Sequence, residues 1–595
     1  MVVAMSDVAP PSPAPAEPAA PRDRYRWVAL SNTTLGMLIA TINSSIVLIA
    51  LPDIFRGIHL DPLEPGNSGY LLWMMMAFMV ATAVLVVSFG RLGDMYGRVK
   101  MYNAGFAVFT LASIGLVATW QHGAAAAQWM IAMRLVQGIG GALIMGNTSA
   151  IVTDAFPPEE RGFALGINSV AALAGSFIGL MLGGLLAPID WRLTFLVSVP
   201  FGLLGTFWAW WKLEDRSVRR PAKIDWLGNL TFAGGLVLVL VAITDSITPY
   251  GHHVMGWSNP ACYGKLLAGL LLLAIFVVVE RRAKDPMFRL ELFRIRAFTA
   301  GNIATLLASL GRGGLMFMLI IWLQGIWLPQ HGYSFESTPL WAGIYMLPLT
   351  VGFLIAGPAS GWLSDRFGAR PFATGGMLLA ALAFGLFMVL PVNFDYVWFG
   401  ALVLLVGLAL GLFSSPNQSG IMNSVPAHQR GVGAGMMATF QNSAQVLSIG
   451  VFFSLMILGL STTLPAEMER GLVARHVPQP RAHAIAEQPP VGVLFASFLG
   501  YNPMRELLGD DLATLPKADA AELTGRSFFP RLIARPFQHG LREAFTFALL
   551  ACLVAAAASW LRGGRYVHDE ELRTDPIVPA VRHPLEAGDG ELGLP

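Results

Sequence analysis

The sequence predicts an all-α membrane protein with about fourteen spanning helices. Three observations lead there. Of the 595 residues, 55% are hydrophobic and only 13% are charged, against roughly 25% charged in a soluble globular chain. Apolar runs of about 20 residues, the length that crosses the hydrocarbon core of a bilayer, recur along most of the chain. Lys and Arg collect in alternate loops between those runs, the pattern expected when the basic loops face the cytosol.

Taken in order, the runs fall near 27–51, 70–89, 101–120, 127–153, 163–187, 191–212, 225–246, 261–280, 298–328, 339–362, 371–391, 395–421, 432–460 and 541–562. Arg91, Arg98 and Lys100 lie in one loop, Lys212 to Lys223 hold a second basic group, and Arg281 to Arg296 a third. Counting spans puts all three on one side, while the opposite loops 53–69, 121–126 and 247–260 hold a single Arg, Arg56, and no Lys. The basic side is expected to be cytosolic, and an even number of spans leaves both termini there. The first 20 residues, rich in Ala and Pro, lack the pattern of a signal peptide. No alternating barrel pattern is present, so a bacterial inner (plasma) membrane is the expected address.

The chain repeats itself. Gly90, Leu92, Asp94, Gly97 and Arg98 recur as Gly361, Leu363, Asp365, Gly368 and Arg370, with the two Asp 271 positions apart. Separately, the stretch Phe156 to Gly162 matches Val425 to Gly431 at an offset of 269. Two landmarks at nearly one offset argue for two related halves, as in transporter folds whose substrate site lies between repeats. The expected organisation is a disordered cytosolic tail over 1–24, a six-helix bundle over 25–213, and a two-helix insert with linkers over 214–295. A second six-helix bundle follows over 296–562, then a cytosolic tail over 563–595. The polar stretch 461–540 is expected to be a large extracytoplasmic loop within the second bundle, partly folded around Val491–Leu499 and open to an outer partner.

Several function classes are disfavoured. A net charge of +2 gives no reason to expect nucleic acid, and Cys262 and Cys552 are too few for a disulfide framework or a cysteine-rich metal site. No phosphate-binding Gly-x-x-x-x-Gly-Lys-Ser/Thr and no His-Glu-x-x-His occurs, so neither nucleotide nor zinc chemistry is expected. No cofactor, no metal and no enzymatic reaction are read from this chain.

Polar residues inside the spans are the candidate functional groups. Arg134 lies within the fourth run; a mid-membrane Arg costs roughly 2.5–3.5 kcal/mol on insertion scales, so it is expected to face a polar cavity and to act. Arg312, in the ninth run, is expected to line the central cavity and attract an anionic or zwitterionic group; a structural role against backbone carbonyls is the alternative. Subtracting the repeat offset places it beside Asn43 of the first run. Asn43, Arg312, Gln324, Gln418, Gln441 and Gln445 form the expected cavity set. Asp94, Arg98, Asp365, Arg366 and Arg370 are expected to form charge clasps made in one conformation and broken in another. Gly175, Gly179, Gly183 and Gly184 are spaced for close helix packing. No Asp or Glu stands in the middle of any run.

These motifs resemble the major facilitator superfamily, specifically its fourteen-helix drug:proton antiporter branch. Gly90 to Lys100 is similar to the loop between helices 2 and 3, with Met95 where a basic residue is usual and Arg366 keeping it in the second copy. Arg134-Leu135-Val136-Gln137-Gly138 resembles the helix 4 motif whose Arg is implicated in proton transfer. Gly175 to Gly184 is similar to the exporter motif of helix 5, with Leu180 in place of its Pro. Asn43 to Pro52 resembles the helix 1 segment of the branch, but Asn43 occupies its acidic position. The resemblance implies a secondary transporter that exports drugs or other amphipathic small molecules by alternating access, coupled to protons. A carrier of lipid or envelope precursor, or a non-transporting membrane sensor, are the alternatives.

Overall fold

A computed structural model describes residues 22–61, 67–157, 160–215, 225–247, 250, 255–286, 288–334, 337–426, 429–498 and 502–563. Among them are fourteen helices long and apolar enough to cross a membrane. They are α1 (Arg24–Gly57), α2 (Gly69–Tyr96), α3 (Arg98–Val117), α4 (Gly123–Ala155), α5 (Ala164–Leu186), α6 (Leu193–Lys212) and α7 (Trp226–Ser246). The others are α8 (Pro260–Arg282), α9 (Arg296–Gln330), α10 (Thr338–Ser364), α11 (Ala369–Val389), α12 (Tyr396–Asn423), α13 (Val432–Val473) and α14 (Phe528–Leu561). Each expected run coincides with one helix. The expected tails lie outside the described residues, apart from 22–24 and 563.

The repeat is visible in how the helices pack. In the first half α1 lies on α5, α2 on α4, and α3 between α4 and α6. In the second half α9 lies on α13, α10 on α12, and α11 between α12 and α14. The chain is two pseudo-symmetric six-helix bundles, with the hairpin α7–α8 inserted between them. The bundles meet along two seams, α2 against α13 and α5 against α10. The insert covers the first seam, since α7 packs on both α2 and α13. A Ser88–Asn229 hydrogen bond joins α7 to α2, and Trp257 Nε1 donates to Ser454 Oγ of α13 at 3.3 Å. Large apolar side chains such as Trp210, Trp211, Leu230 and Leu267 stay well exposed on the flanks, a surface suited to lipid rather than water.

Glycines set how closely the first bundle closes. A Cβ at Gly179 would stand 2.5 Å from the carbonyl oxygen of Ile42, and one at Gly183 would stand 2.7 Å from that of Ile46. Gly175 likewise meets Leu38 at 2.8 Å, so three successive turns of α5 ride directly on the α1 backbone. Gly184 faces elsewhere: a Cβ there would stand 2.5 Å from Leu340 Cα of α10, at the second seam. The second bundle inverts the arrangement: its glycines are on α9, where Gly314 N donates to Ser448 Oγ of α13 at 2.7 Å. Gly179→Leu is expected to cost at least the 1–3 kcal/mol typical of overpacking and to lower the yield of monodisperse protein. Gly166→Leu on the same helix, where a Cβ meets nothing within 4 Å, is the control that should purify normally. Equal yields from both would remove α1–α5 contact as the reason for these glycines.

The 461–540 stretch is far more ordered than a loop. Helix α13 runs on to Val473 and α14 begins at Phe528, so both ends of the stretch are continuations of spanning helices. Between them lie short helices over Gln479–Ala486, Pro490–Phe498, Met504–Leu508 and Lys517–Leu523. Val491, Val493, Leu494 and Phe495 are buried, with the Phe495 ring 5.2 Å from that of Phe453 on α13. Ion pairs Arg475–Glu522 and Arg481–Asp511, each at 2.7 Å, tie the segment together. The apolar side chains that the sequence shows as isolated patches here join the core of the second bundle.

Candidate functional site

Arg134 is the most deeply buried charge on α4, 1% exposed. Its Nη1 donates to Asn43 Oδ1 at 2.7 Å and to Gln137 Oε1 at 2.8 Å, and its Nε to the Met74 carbonyl at 3.3 Å. The guanidinium also stands 5.1 Å from the centre of the Phe78 ring. Gln137 Nε2 passes the chain on to Ser113 Oγ at 2.8 Å. Neutral amides, a carbonyl and an aromatic face thus solvate this cation, and no described carboxylate reaches it. Such a network is secure only while its acceptors stay in place. Asn43 was expected in the cavity set, but it is 1% exposed and spends its oxygen on Arg134. The reason is rotational: Ile42 and Ile46 turn toward α5, and the next residue round, about 100° on, faces α2 and α4.

Arg312 lies in a different environment. It lines a narrow cleft with Thr305 and Ser309 of α9, Phe353 of α10, Ser414 and Gln418 of α12, and Gln441 of α13, with a cavity volume of ≈ 50 Å³. All of these belong to the second bundle, where the repeat had suggested a space shared by both halves. Among the described residues the Arg312 fork has no hydrogen-bond or ion-pair partner. Asn417, also in the wall, is held inside it by donating to Thr305 Oγ1 at 2.7 Å and to the Gly301 carbonyl at 3.2 Å. Arg312, Gln418 and Gln441 remain as polar groups open to a guest. The lining is more polar than apolar, and a cleft of ≈ 50 Å³ must widen before it holds a small molecule.

Two expected cavity residues lie outside this wall. Gln445 is on the next turn of α13, its carbonyl oxygen 2.8 Å from where a Cβ at Gly313 would stand. Gln324 is 1% exposed, with neither amide atom hydrogen-bonded. It lies in a π-helical turn over Trp322–Trp327 that widens α9 near its end, a distortion sequence periodicity does not announce and one often met at functional sites.

At the basic end of the first bundle Arg98 bridges two acids. It holds Asp94 of α2 at 2.8 Å and Asp154 of α4 at 2.6 Å, fastening the ends of α2, α3 and α4 together. Gly97, at φ 111°, makes the turn into α3 and leaves room for Asp215. Asp154 was not singled out from the sequence as a clasp member; its signal was the acid closing α4 just ahead of the Phe156-Pro157 turn.

With this arrangement in view, the relatives can be placed. The model of the Major Facilitator Superfamily matches residues 33–449. The chain belongs to that superfamily. The Tetracenomycin C resistance and export protein of Streptomyces glaucescens is 27% identical over 90% of this chain and 91% of its own length. The multidrug resistance protein Stp of Mycobacterium tuberculosis (strain CDC 1551 / Oshkosh) is 29% identical over 91% of this chain and 99% of its own. Among solved structures, a bacterial homolog to the human lysosomal transporter Spinster, in an inward-facing and unoccupied conformation, superposes with a TM-score of 0.56. It shares 16% identity and covers 90% of this chain and 97% of that one, so the likeness concerns the fold. This superfamily member is a multi-pass membrane transporter of small molecules.

The second superfamily loop, at Gly361–Arg370, is built differently from the first. Arg366 stacks on Trp362 at 4.5 Å and Arg370 on Trp560 at 3.8 Å, and neither forms an ion pair among the described residues. The Asp365 side chain lies outside the described residues. Where Asp154 completes the first clasp, the repeat offset leads to Asn423, Ser424 and Val425, none of them acidic.

Proposed function

We propose that this transporter exports amphipathic small molecules carrying a negative charge, by alternating access of the two bundles. The carrying observation is Arg312: a cation with no described partner, in a cavity walled by serines, amides and aromatic rings. None of the lining residues is an Asp or Glu that would neutralise it. Arg312 is half-buried with no counter-ion described beside it, so a guest that supplies the anion gains more here than a neutral one. The names of the relatives, which speak of resistance and export, support the outward direction and the drug-like cargo. In this reading the basic end of the bundles faces the cytosol, both termini are cytosolic, and the 461–540 segment lies outside. The Arg98 clasp fastens the cytosolic end in one state and opens in the other, and Gln418 and Gln441 orient the bound compound.

Proton exchange belongs to this reading by family, but not through α1. Asn43 is an amide and does not titrate. The test is transport in proteoliposomes with matched anionic, neutral and cationic dyes and a trapped pH indicator. Anionic dyes are expected to move fastest. A preference for cations would remove the role given to Arg312, and the absence of flux with every dye would remove the exporter reading.

A further inference from the structure

We propose that three arginines at the basic end of α14 form a binding site for a phosphate-bearing anion, the headgroup of an acidic phospholipid. Arg562, which follows α14, is 5% exposed, and its Nε, Nη1 and Nη2 all lack a hydrogen-bond partner. Its fork is wedged between helices at two glycines: a Cβ at Gly420 would stand 2.5 Å from Nη1 and one at Gly301 would stand 3.0 Å from Nη2. Two more guanidiniums gather on the same turn. Arg370 lies 3.8 Å over the Trp560 ring with its own Nε buried and unpartnered, and Arg296 Nε donates to the Leu561 carbonyl at 2.7 Å. None of the three forms an ion pair among the described residues. Burying the unpaired Arg562 cation is unfavourable, and it is relieved by an anion with several acceptor oxygens, which guanidinium forks match bidentately.

The repeat shows one acid that the second bundle lacks. In the first bundle the related Arg98 is satisfied internally by Asp94 and Asp154. In the second, Asn423 and Ser424 stand where Asp154 would fall, so the wall supplies no equivalent acid. The location favours a lipid as source. Trp560, on which Arg370 stacks, and its neighbour Leu561 are 56% and 57% exposed on the apolar flank, where a leaflet's headgroups meet the protein. Basic pockets between spanning helices on the cytoplasmic side suit such headgroups.

The full chain, purified and exchanged into mixed micelles of phosphatidylglycerol, cardiolipin and phosphatidylcholine, would be examined for retained lipid by native mass spectrometry. Wild type is expected to retain acidic lipid, and the triple variant Arg296→Gln, Arg370→Gln, Arg562→Gln to lose about tenfold or more of it. Arg370→Gln alone, which leaves the buried Arg562 in place, is expected to lose an intermediate amount should the triple variant misfold. Displacement by millimolar inorganic phosphate would keep the phosphate site but assign it to a soluble source. Three results would overturn the proposal: equal retention by all variants, equal retention of phosphatidylcholine, or lipid binding that appears only after residues 564–595 are removed. The last would make the acidic Asp569-Glu570-Glu571 of this same chain the occupant.

Discussion

Arg312→Ala is expected to abolish the preference for anionic compounds and to cut their export about tenfold to a hundredfold. A hydrogen bond to a charged group contributes about 1.5–3 kcal/mol, and each 1.4 kcal/mol is a factor of ten. Because Arg312 has no described partner, its removal strands no buried acceptor, so folded yield should change little. Arg312→Lys keeps the charge but not the planar fork and should fall between the two. The measurement is the initial uptake rate of paired anionic and neutral dyes into everted vesicles, normalised to protein. If the anion-to-neutral ratio of the alanine variant matched wild type, Arg312 would be a structural residue and the proposed cargo class would be wrong.

The second large effect is at Asn43, and its two substitutions should act in opposite ways. Asn43→Leu takes away the 2.7 Å acceptor of Arg134 Nη1 and leaves a fully buried cation with one fewer partner. A hydrogen bond to a charged group contributes about 1.5–3 kcal/mol, enough to lower the folded yield in detergent. Asn43→Asp keeps the shape and strengthens the bond. It places a titratable carboxylate against Arg134 and so fits the acid that the resemblance to the antiporter branch leads one to expect at this position. The ionised carboxylate should lock α1 to α4 and the protonated one should release them. Transport by this variant is therefore expected to slow as pH rises, with a steeper profile than wild type. Rates measured from acid to alkaline pH decide it; parallel profiles would mean that the α1–α4 contact does not change during the transport cycle.

How much of this was legible in the sequence depends on the range of the physics involved. The number and positions of the spans were legible, because the demand for about 20 apolar residues is local to each segment, while the helix ends, by thirteen residues in α13 and α14, were not. The glycine ladder Gly175, Gly179, Gly183 was equally legible: four-residue spacing keeps small residues on one helix face, and α1 is what that face meets. The sharing of the polar groups was not. Asn43 and Arg312 occupy related positions in the two halves, yet one is sealed against Arg134 and the other opens on a cavity. Arg134 has no arginine counterpart at the matching depth of α12, where residues 403–405 read Val-Leu-Leu. With no second arginine to solvate, α9 leaves its own polar group to the cavity.

The membrane location, the fourteen helices, the internal repeat and the sidedness of charge were thus written in the sequence itself, since each follows from hydropathy and charge counted along the chain. The tertiary structure alone decided which polar side chains face each other and which face a cavity. It also decided that the 461–540 stretch folds onto the bundle, and that among the described residues Arg562 is buried without an acid while Arg98 has two. Those outcomes depend on how each helix is rotated about its axis. That rotation is set by the neighbours against which the helix packs, and a linear pattern does not contain them.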